Sequence, residues 1–277
     1  MGAREKHFRK LFRMDLKKRP LNAELRWRIA KMISLSKEGH IPSAYSIIDI
    51  IHYLYANVLK FRPKDPSWDE RDYFVLSKGH GCAALYIVLL KFGFLSEKDI
   101  DNYSLLGGIL GGHPDTTKVP GAEASTGSLG HGFPTAAGIA LGLKIQQKPN
   151  RVFALLGDGE CNEGTIWETA LVASKQNLSN FHAIIDLNGS AAQILPIDPL
   201  ADKWKAFGWD VFEVDGHDEE ALASTFRKIA SSTTQKPKAI IAHTIKGKGV
   251  SFIEGHGKWH HKIPSPDELE LIAKELV

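Results

Sequence analysis

The chain of 277 residues lacks the features that mark extracellular, membrane or nucleic-acid-binding proteins. Its two cysteines, Cys82 and Cys161, provide no disulfide framework, which is typical of the reducing cytosol. It has no apolar run near the roughly 20 residues that span a bilayer, and no signal-peptide core. Its 35 Lys and Arg residues nearly balance 32 Asp and Glu residues. We therefore expect a soluble cytoplasmic protein with no nucleic-acid or membrane partner.

The sequence instead has the pattern of one large α/β domain. We expect a single domain over residues 21–277, preceded by a basic arm over residues 1–20 that packs on its own domain or on a partner. Short apolar runs alternate with segments of helical spacing, which predicts a three-layer fold with helices on both faces of a parallel sheet. The predicted strands are 73–76, 152–156, 181–186, 209–214 and 239–243. The predicted helices are 23–36, 47–59, 82–92, 96–103, 134–147, 165–176, 219–231 and 266–276.

Two polar segments follow neighbouring predicted strands. Gly157-Asp158-Gly159 ends one strand, and Asn188-Gly189 ends the next, about one βαβ repeat later. Because parallel strands end at the same edge of a sheet, we expect Asp158 and Asn188 to lie side by side. Their side-chain oxygens suit Mg²⁺ or Ca²⁺, and the glycines let a phosphate approach the backbone.

Each segment alone could be an ordinary turn, because Gly-Asp-Gly and Asn-Gly are common turn sequences. The pair at one-repeat spacing favours a metal-bridged diphosphate site.

Histidines in glycine-rich or element-ending loops are a second signal. His40, His80, His113 and His260 do not lie on a periodic apolar face. Several imidazoles at one sheet edge, beside a diphosphate, indicate proton transfer and recognition of hydroxyl groups on a polyol. A zinc site is the competing interpretation, but the histidines lack the short ligand spacings of a structural zinc site.

Taken together, these motifs resemble the N-terminal, diphosphate-binding half of transketolase, a thiamine diphosphate enzyme. In chain order they are Gly39-His40-Ile41, Leu76-Ser77-Lys78-Gly79-His80-Gly81, Gly112-His113-Pro114, Thr126-Gly127-Ser128-Leu129-Gly130, Gly157-Asp158-Gly159-Glu160 with Asn188, Leu200-Ala201-Asp202-Lys203-Trp204, Phe207-Gly208-Trp209, Val214-Asp215-Gly216-His217-Asp218 and Trp259-His260. These motifs extend over nearly the whole chain.

The resemblance implies a site for thiamine diphosphate and Mg²⁺ or Ca²⁺. The residues that it places at the metal are Asp158, Asn188 and, through its backbone carbonyl, Ser190. Those that it places on the cofactor are His80, Gly127, Ser128, Leu129, Gly159, Glu160, Asn188 and His260. Those with implied catalytic roles are His40, His80, His113 and His260. The implied reaction transfers a two-carbon ketol unit from a ketose or ketose phosphate to an aldose.

The sequence departs from the family pattern at several points. Gly189 stands where the family usually has lysine, and the loop from there to Pro199 is shorter. His261 stands where glycine usually follows the histidine at position 260, and Ile41-Pro42-Ser43-Ala44 replaces a more glycine-rich stretch. Two of these departures adjoin the implied substrate channel, so we expect an unusual pair of sugars.

The chain is less than half as long as a full transketolase, whose second half holds the aminopyrimidine ring of the cofactor. We therefore expect one subunit of a split enzyme, paired with a separate pyrimidine-domain chain in a 2+2 heterotetramer. Two alternatives stay open. One is another ketol or acyl transfer on the same cofactor, of the deoxyxylulose-phosphate-synthase or 2-oxo-acid type. The other is a non-catalytic cofactor-binding subunit.

Overall fold

A computed structural model describes residues 20–276 of the chain. Most of the predicted basic arm, residues 1–19, lies outside the described residues, as does Val277. None of the described helices is long and apolar enough to cross a membrane.

The centre of the fold is a five-stranded, wholly parallel sheet in the order β1-β2-β3-β5-β4. The strands are β1 Tyr73–Leu76, β2 Val152–Gly157, β3 Phe181–Leu187, β4 Asp210–Asp215 and β5 Lys238–His243. Each predicted strand is confirmed to within one residue at either end.

The helices lie between and around these strands. They are α1 Leu21–Ser36, α2 Ile41–Tyr45, α3 Ile48–Tyr53, α4 Cys82–Lys91, α5 Glu97–Asp101, α6 Gly132–Ile145, α7 Gly164–Lys175, α8 Leu200–Ala206, α9 Glu219–Ala230 and α10 Pro266–Glu275. A π-helical turn, Leu54–Val58, extends α3. Short 3₁₀ turns at Gly79–Gly81, Gly159–Asn162 and Ala191–Gln193 follow the first three strands.

Two apolar clusters cover the two faces of the sheet. Along β2, Leu155 packs with α1, α3, α4 and α9, whereas Leu156 packs on the other face with α6, α7 and α8. Successive residues alternate between the two faces because a strand has a two-residue period. Because both faces are buried, the strand sequences are nearly continuous apolar runs. The predicted three-layer α/β fold is confirmed.

Three local features were not predicted. A short helix, α2, follows Gly39, since Pro42 suits a first helical turn and its five residues are buried. The helix α8 precedes β4, and its Leu200 and Trp204 are one turn apart and both buried. In α6, the alanines pack on the domain, whereas Gly138 and Gly142 face open space.

Candidate active site

The strand register brings the two predicted metal ligands to one place. Gly157 at the end of β2 is paired with Asp186 near the end of β3. Asp158 donates its backbone N–H to the Asp186 carbonyl at 3.1 Å, so Asp158 and Asn188 leave the sheet side by side. The predicted βαβ arrangement is therefore confirmed.

Both residues line a cavity of about 550 Å³ at the carboxyl edge of the sheet, which we call the carboxyl-edge cavity. The predicted site residues that line it are His80, Leu129, Asp158, Gly159, Glu160, Asn188, Ser190 and His260. His40, His113, Gly127 and Ser128 are not among its lining residues. The volume falls within the range of small-molecule sites.

Asp158 carries a buried carboxylate that has only backbone hydrogen bonds in the described structure. It accepts the N–H of Gly159 at 2.8 Å and the N–H of Ala191 at 3.2 Å. Burial raises the pKa of Asp158, against the lowering effect of these N–H groups. A cation beside this carboxylate would offset that burial penalty, so the residue fits a metal ligand.

The side chain of Asn188 is held between Asp186 and Ser190, and its amide oxygen faces Ser190. Its Nδ2 donates to Asp186 Oδ2 at 2.9 Å, and its Oδ1 accepts the N–H and the hydroxyl of Ser190 at 3.0 and 2.6 Å. The Ser190 carbonyl accepts the N–H of Gln193 at 3.3 Å and keeps a second lone pair. These oxygens are of the hard type that Mg²⁺ and Ca²⁺ prefer.

No three His, Cys, Asp or Glu side chains between residues 20 and 276 converge as a metal site. A cation at Asp158 and Asn188 would thus take one carboxylate, one amide oxygen and backbone or ligand oxygens. This donor set fits a divalent ion that is bridged to a diphosphate.

A buried ion pair lies directly beneath these loops. Asp186 is fully buried and accepts hydrogen bonds from Lys78 Nζ at 2.5 Å and Ser46 Oγ at 2.8 Å, and also from the hydroxyl of Thr244. Burial raises the pKa of Asp186, but Lys78 together with the hydrogen bonds from Thr244 and Ser46 outweighs that effect, and the pKa is lowered. The sequence analysis did not identify Lys78 and Asp186 as partners.

Glu160 joins three segments of the site. Its carboxylate accepts hydrogen bonds from the Ser77 hydroxyl at 2.5 Å and from the backbone N–H groups of Gly130 and Gly157 at 3.0 and 3.3 Å. Burial raises the pKa of Glu160 against these bonds. With its oxygens so occupied, Glu160 positions the loop at 127–130 against the ends of β1 and β2.

Three of the predicted histidines form a cluster, to which His261 adds a fourth ring. The His40 ring lies 5.5 Å from the ring of His80, 5.5 Å from that of His260 and 4.6 Å from that of His261, between centroids. Burial lowers the pKa of His40 to about 4 and that of His80 to about 2, with positive neighbours adding to both effects. The rings of His40 and His80 are therefore neutral near pH 7, and each has one nitrogen that donates and one that accepts.

His113 does not line the carboxyl-edge cavity and is exposed. Its ring packs on Gly127, where an added Cβ would lie only 3.0 Å from His113 Cδ2. A side chain at Gly79 would likewise collide with the backbone of Thr126 at 2.8 Å. These close approaches explain the glycines at positions 79 and 127.

Several residues that the sequence did not assign also line the carboxyl-edge cavity, among them Lys246, Ser43 and His256. Lys246 donates to Ser190 Oγ at 3.0 Å and lies 3.4 Å from His260 Nδ1, and Ser43 of α2 lines the same cavity. His256 Nε2 lies 3.2 Å from the Asn188 carbonyl oxygen and fills the space beside Gly189. The available signal was the Lys246-Gly247-Lys248-Gly249 run after β5, which lies at the same edge as the other strand ends.

The family comparison covers almost the entire chain. Residues 18–276 match the family described as "Transketolase, thiamine diphosphate binding domain".

Relatives of similar length are named as subunits. The chain is 40% identical over 256 residues to a subunit of the apulose-4-phosphate transketolase from Phocaeicola vulgatus, covering 91% of this chain and 90% of that protein. It is 40% identical over 222 residues to the 6-deoxy-6-sulfo-D-fructose transketolase subunit SqwG from a Clostridium species, covering 78% and 80%.

Solved transketolases share the fold but are longer. A mutant transketolase from Pichia stipitis superposes with a TM-score of 0.83 at 27% identity, covering 92% of this chain and 40% of that one. The Leishmania mexicana transketolase superposes with a TM-score of 0.81 at 28% identity, covering 99% of this chain and 41% of that one. The chain thus spans about two fifths of the length of these structures. By its family match and its relatives, the chain belongs to the transketolase family, as a thiamine diphosphate binding domain.

Proposed function

We propose that the chain is the cofactor-anchoring subunit of a two-chain transketolase, which moves a two-carbon ketol unit from a ketose to an aldose. The observation that carries this proposal is the juxtaposition of Asp158 and Asn188 with the histidine cluster around one cavity. Ligands for a metal-bound diphosphate and neutral imidazoles for sugar hydroxyls are the two protein components that such a transfer needs.

Asp158 and Asn188 would hold the diphosphate end of the cofactor through a bound Mg²⁺ or Ca²⁺. Asp158, Asn188 Oδ1 and the Ser190 carbonyl would be the oxygen ligands that the protein supplies to that ion. Lys246, which lines the cavity and contacts Ser190, places a positive charge beside the diphosphate. His80, Gly159 and His260 line the same cavity, and the two imidazoles offer further hydrogen-bond donors. Bound thiamine diphosphate supplies the nucleophilic carbon and the electron sink for C–C cleavage.

The histidine cluster is proposed to bind the sugar hydroxyls. His40 Nδ1 is buried and has no hydrogen-bond partner within residues 20–276. Such an atom is costly unless a ligand satisfies it, and a donor-sugar hydroxyl would do so. Because burial keeps His40 and His80 neutral, each can accept a hydroxyl proton at one nitrogen while it donates at the other. We assign the same role to His260 and, at the outer rim, to His113.

A second chain is proposed to close the site. Ile194 lines the carboxyl-edge cavity with an exposed fraction of 89%, and the neighbouring Leu195 has 59%. On α6, Gly138 and Gly142 face open space beside Ile145, which is 73% exposed. These surfaces would be covered by a pyrimidine-domain partner in a 2+2 heterotetramer. The relatives that are named as transketolase subunits support this reading.

The compartment proposed for this enzyme is the cytoplasm. Cys82 and Cys161 are both free and fully buried, which suits a reducing environment.

The function is tested by reconstitution with the product of a neighbouring reading frame that encodes a pyrimidine domain. We expect two-carbon transfer from a ketose only when both chains, thiamine diphosphate and Mg²⁺ are present. Sugar and sugar-phosphate donors, and a 2-oxo acid in parallel, identify the donor class. Greater activity with the 2-oxo acid would replace ketol transfer by acyl transfer, and cofactor binding without turnover on any donor would favour a non-catalytic subunit.

A further inference from the structure

A second cavity, of about 420 Å³, lies at the opposite edge of the sheet. Arg151 immediately precedes β2, His182 is the second residue of β3, and Lys238 begins β5, so their side chains gather where the strands begin. We call it the amino-edge cavity. Since β2 has six residues, it separates this cavity from Asp158 by roughly 20 Å.

The charge around the amino-edge cavity is of one sign. Its lining includes Arg151, Arg227 and Lys238 but no Asp or Glu. Arg151 is paired with Asp72 at 2.5 Å, so its charge is largely offset. Arg227 and Lys238 form no ion pair in the described part of the chain.

Lys238 is the informative cation because it is only 3% exposed. Its ammonium donates to the carbonyls of Thr234 and Lys236 at 3.2 and 2.7 Å, which leaves one of its three donors. Burial lowers the pKa of Lys238, and Asp210 opposes that effect from a distance. A buried ammonium without a carboxylate in contact is costly, and an anion in the adjoining cavity would remove the cost.

His182 adds an acceptor to this basic surface. Its Nδ1 lies 3.4 Å from the Val152 carbonyl, so that nitrogen carries the proton and Nε2 accepts. Burial, followed by Arg151 and Lys238, lowers the pKa of His182 to about 3, which keeps the ring neutral. Cations beside a neutral acceptor match a ligand that has both an anionic group and a hydroxyl.

Part of the remaining lining is aromatic. Tyr53 and Phe226 stack with centroids 5.7 Å apart, and Phe153 stacks on His182 at 4.4 Å. The volume lies in the range of sites for small metabolites, and the lining combines polar side chains with these flat apolar rings.

We propose that the amino-edge cavity binds a small hydroxylated anion, a phosphate or carboxylate metabolite, whose charge lies against Lys238 and Arg227. This site is separate from the cofactor site and does not depend on the proposed transketolase activity.

The test is a titration of the ¹⁵N-labelled full chain, followed by backbone amide resonances. The probes are inorganic phosphate, glucose 6-phosphate and gluconate, which separate a phosphate from a carboxylate ligand. We expect saturable shifts of amides at 151–153, 181–182 and 232–238, distinct from any shifts at 158–160. Lys238→Met should weaken this binding at least tenfold and Arg227→Gln about three- to tenfold.

Lys228→Gln is the matched control, because Lys228 is the exposed neighbour of Arg227 on α9 and does not line the cavity. If Lys238→Met fails to fold, Arg227→Gln and Arg227→Glu, on the exposed surface of α9, decide the question. The proposal is overturned if none of the three probes shifts the amino-edge amides saturably. It is equally overturned if Arg227→Gln binds as tightly as Lys228→Gln.

Discussion

The two halves of the carboxyl-edge site are built differently. The diphosphate half, formed by Asp158, Asp186, Asn188 and Lys78, is buried at the ends of three adjacent strands, β1 to β3, and its side chains hydrogen-bond to one another or to the backbone. The histidine half lies on loops, and its central ring, His40, keeps a buried nitrogen without a partner in the described residues.

The difference separates two tasks. A metal-bridged diphosphate needs ligands at fixed positions, and strand register supplies them with little room for change. Sugar recognition needs donors and acceptors that are still free when the substrate arrives. The comparison predicts that substitutions in the diphosphate half act on stability and cofactor affinity, whereas those in the histidine half act on substrate use.

The largest effect is expected for Lys78→Met, which leaves the buried Asp186 carboxylate without its cation. Breaking a buried pair from one side costs about 3–5 kcal/mol of unfolding free energy. Denaturant unfolding measures the loss. Lys148→Met is the matched control, because Lys148 pairs with Asp69 at the surface and should contribute only about 0–1 kcal/mol. Equal losses of unfolding free energy in the two variants would show that the Lys78–Asp186 pair stabilises the fold no more than a surface pair does.

Asp158→Ala should act on the cofactor more than on folding. It removes the only carboxylate among the proposed ligands, so we expect Mg²⁺-dependent thiamine diphosphate binding to weaken roughly 10- to 100-fold or more. Calorimetric titration with and without Mg²⁺ measures the change. Asp202→Ala, at an exposed position of α8, is the control. A variant that binds the cofactor as tightly as the wild type would exclude Asp158 as a metal ligand.

Strand-end chemistry could be predicted from the sequence because local apolar runs determine where strands end. The positions of Asp158 and Asn188 follow from one βαβ repeat, and the register confirmed them. The Lys78–Asp186 pair could not be predicted in this way. It joins β1 to β3 across β2, so only the strand order reveals the contact. The same holds for Lys246, which reaches Ser190 from the loop after β5.

Residue roles in loops were harder to foresee. His256 occupies space beside Gly189, where the family usually has a lysine, and no local pattern connects two residues so distant in sequence. The helix at Ile41–Tyr45 was missed because its burial comes from contacts with α1 and α4 rather than from its own periodicity.

The protonation of His40 in the histidine half should make the stability of the fold depend on pH. His40 has a pKa lowered to about 4 in the folded state, below the ordinary value of 6.5. Between those values the unfolded chain binds the proton and the folded one does not, so His40 makes stability fall as pH falls from about 6.5 towards 4. The slope from one such group is at most about 1.4 kcal/mol per pH unit, less for a partly exposed ring. His40→Gln should flatten the stability profile in this window, and an unchanged slope would contradict the assignment.

The smallest effect is expected at His261, which replaces a usual family glycine. Its ring lies 4.6 Å from that of His40, and its Nε2 lies 3.4 Å from Glu38 Oε1 in an exposed pair. An exposed pair contributes little to stability, so His261→Gly should change the unfolding free energy by less than about 1 kcal/mol. We expect it instead to change KM for the ketose about three- to tenfold with kcat nearly constant, because the ring contacts the proposed sugar-binding cluster rather than the cofactor. Glu38→Gln should reproduce part of the KM change if Glu38 orients the ring. A loss confined to kcat would place His261 in proton transfer, and equal kinetics in all three proteins would remove it from the substrate channel.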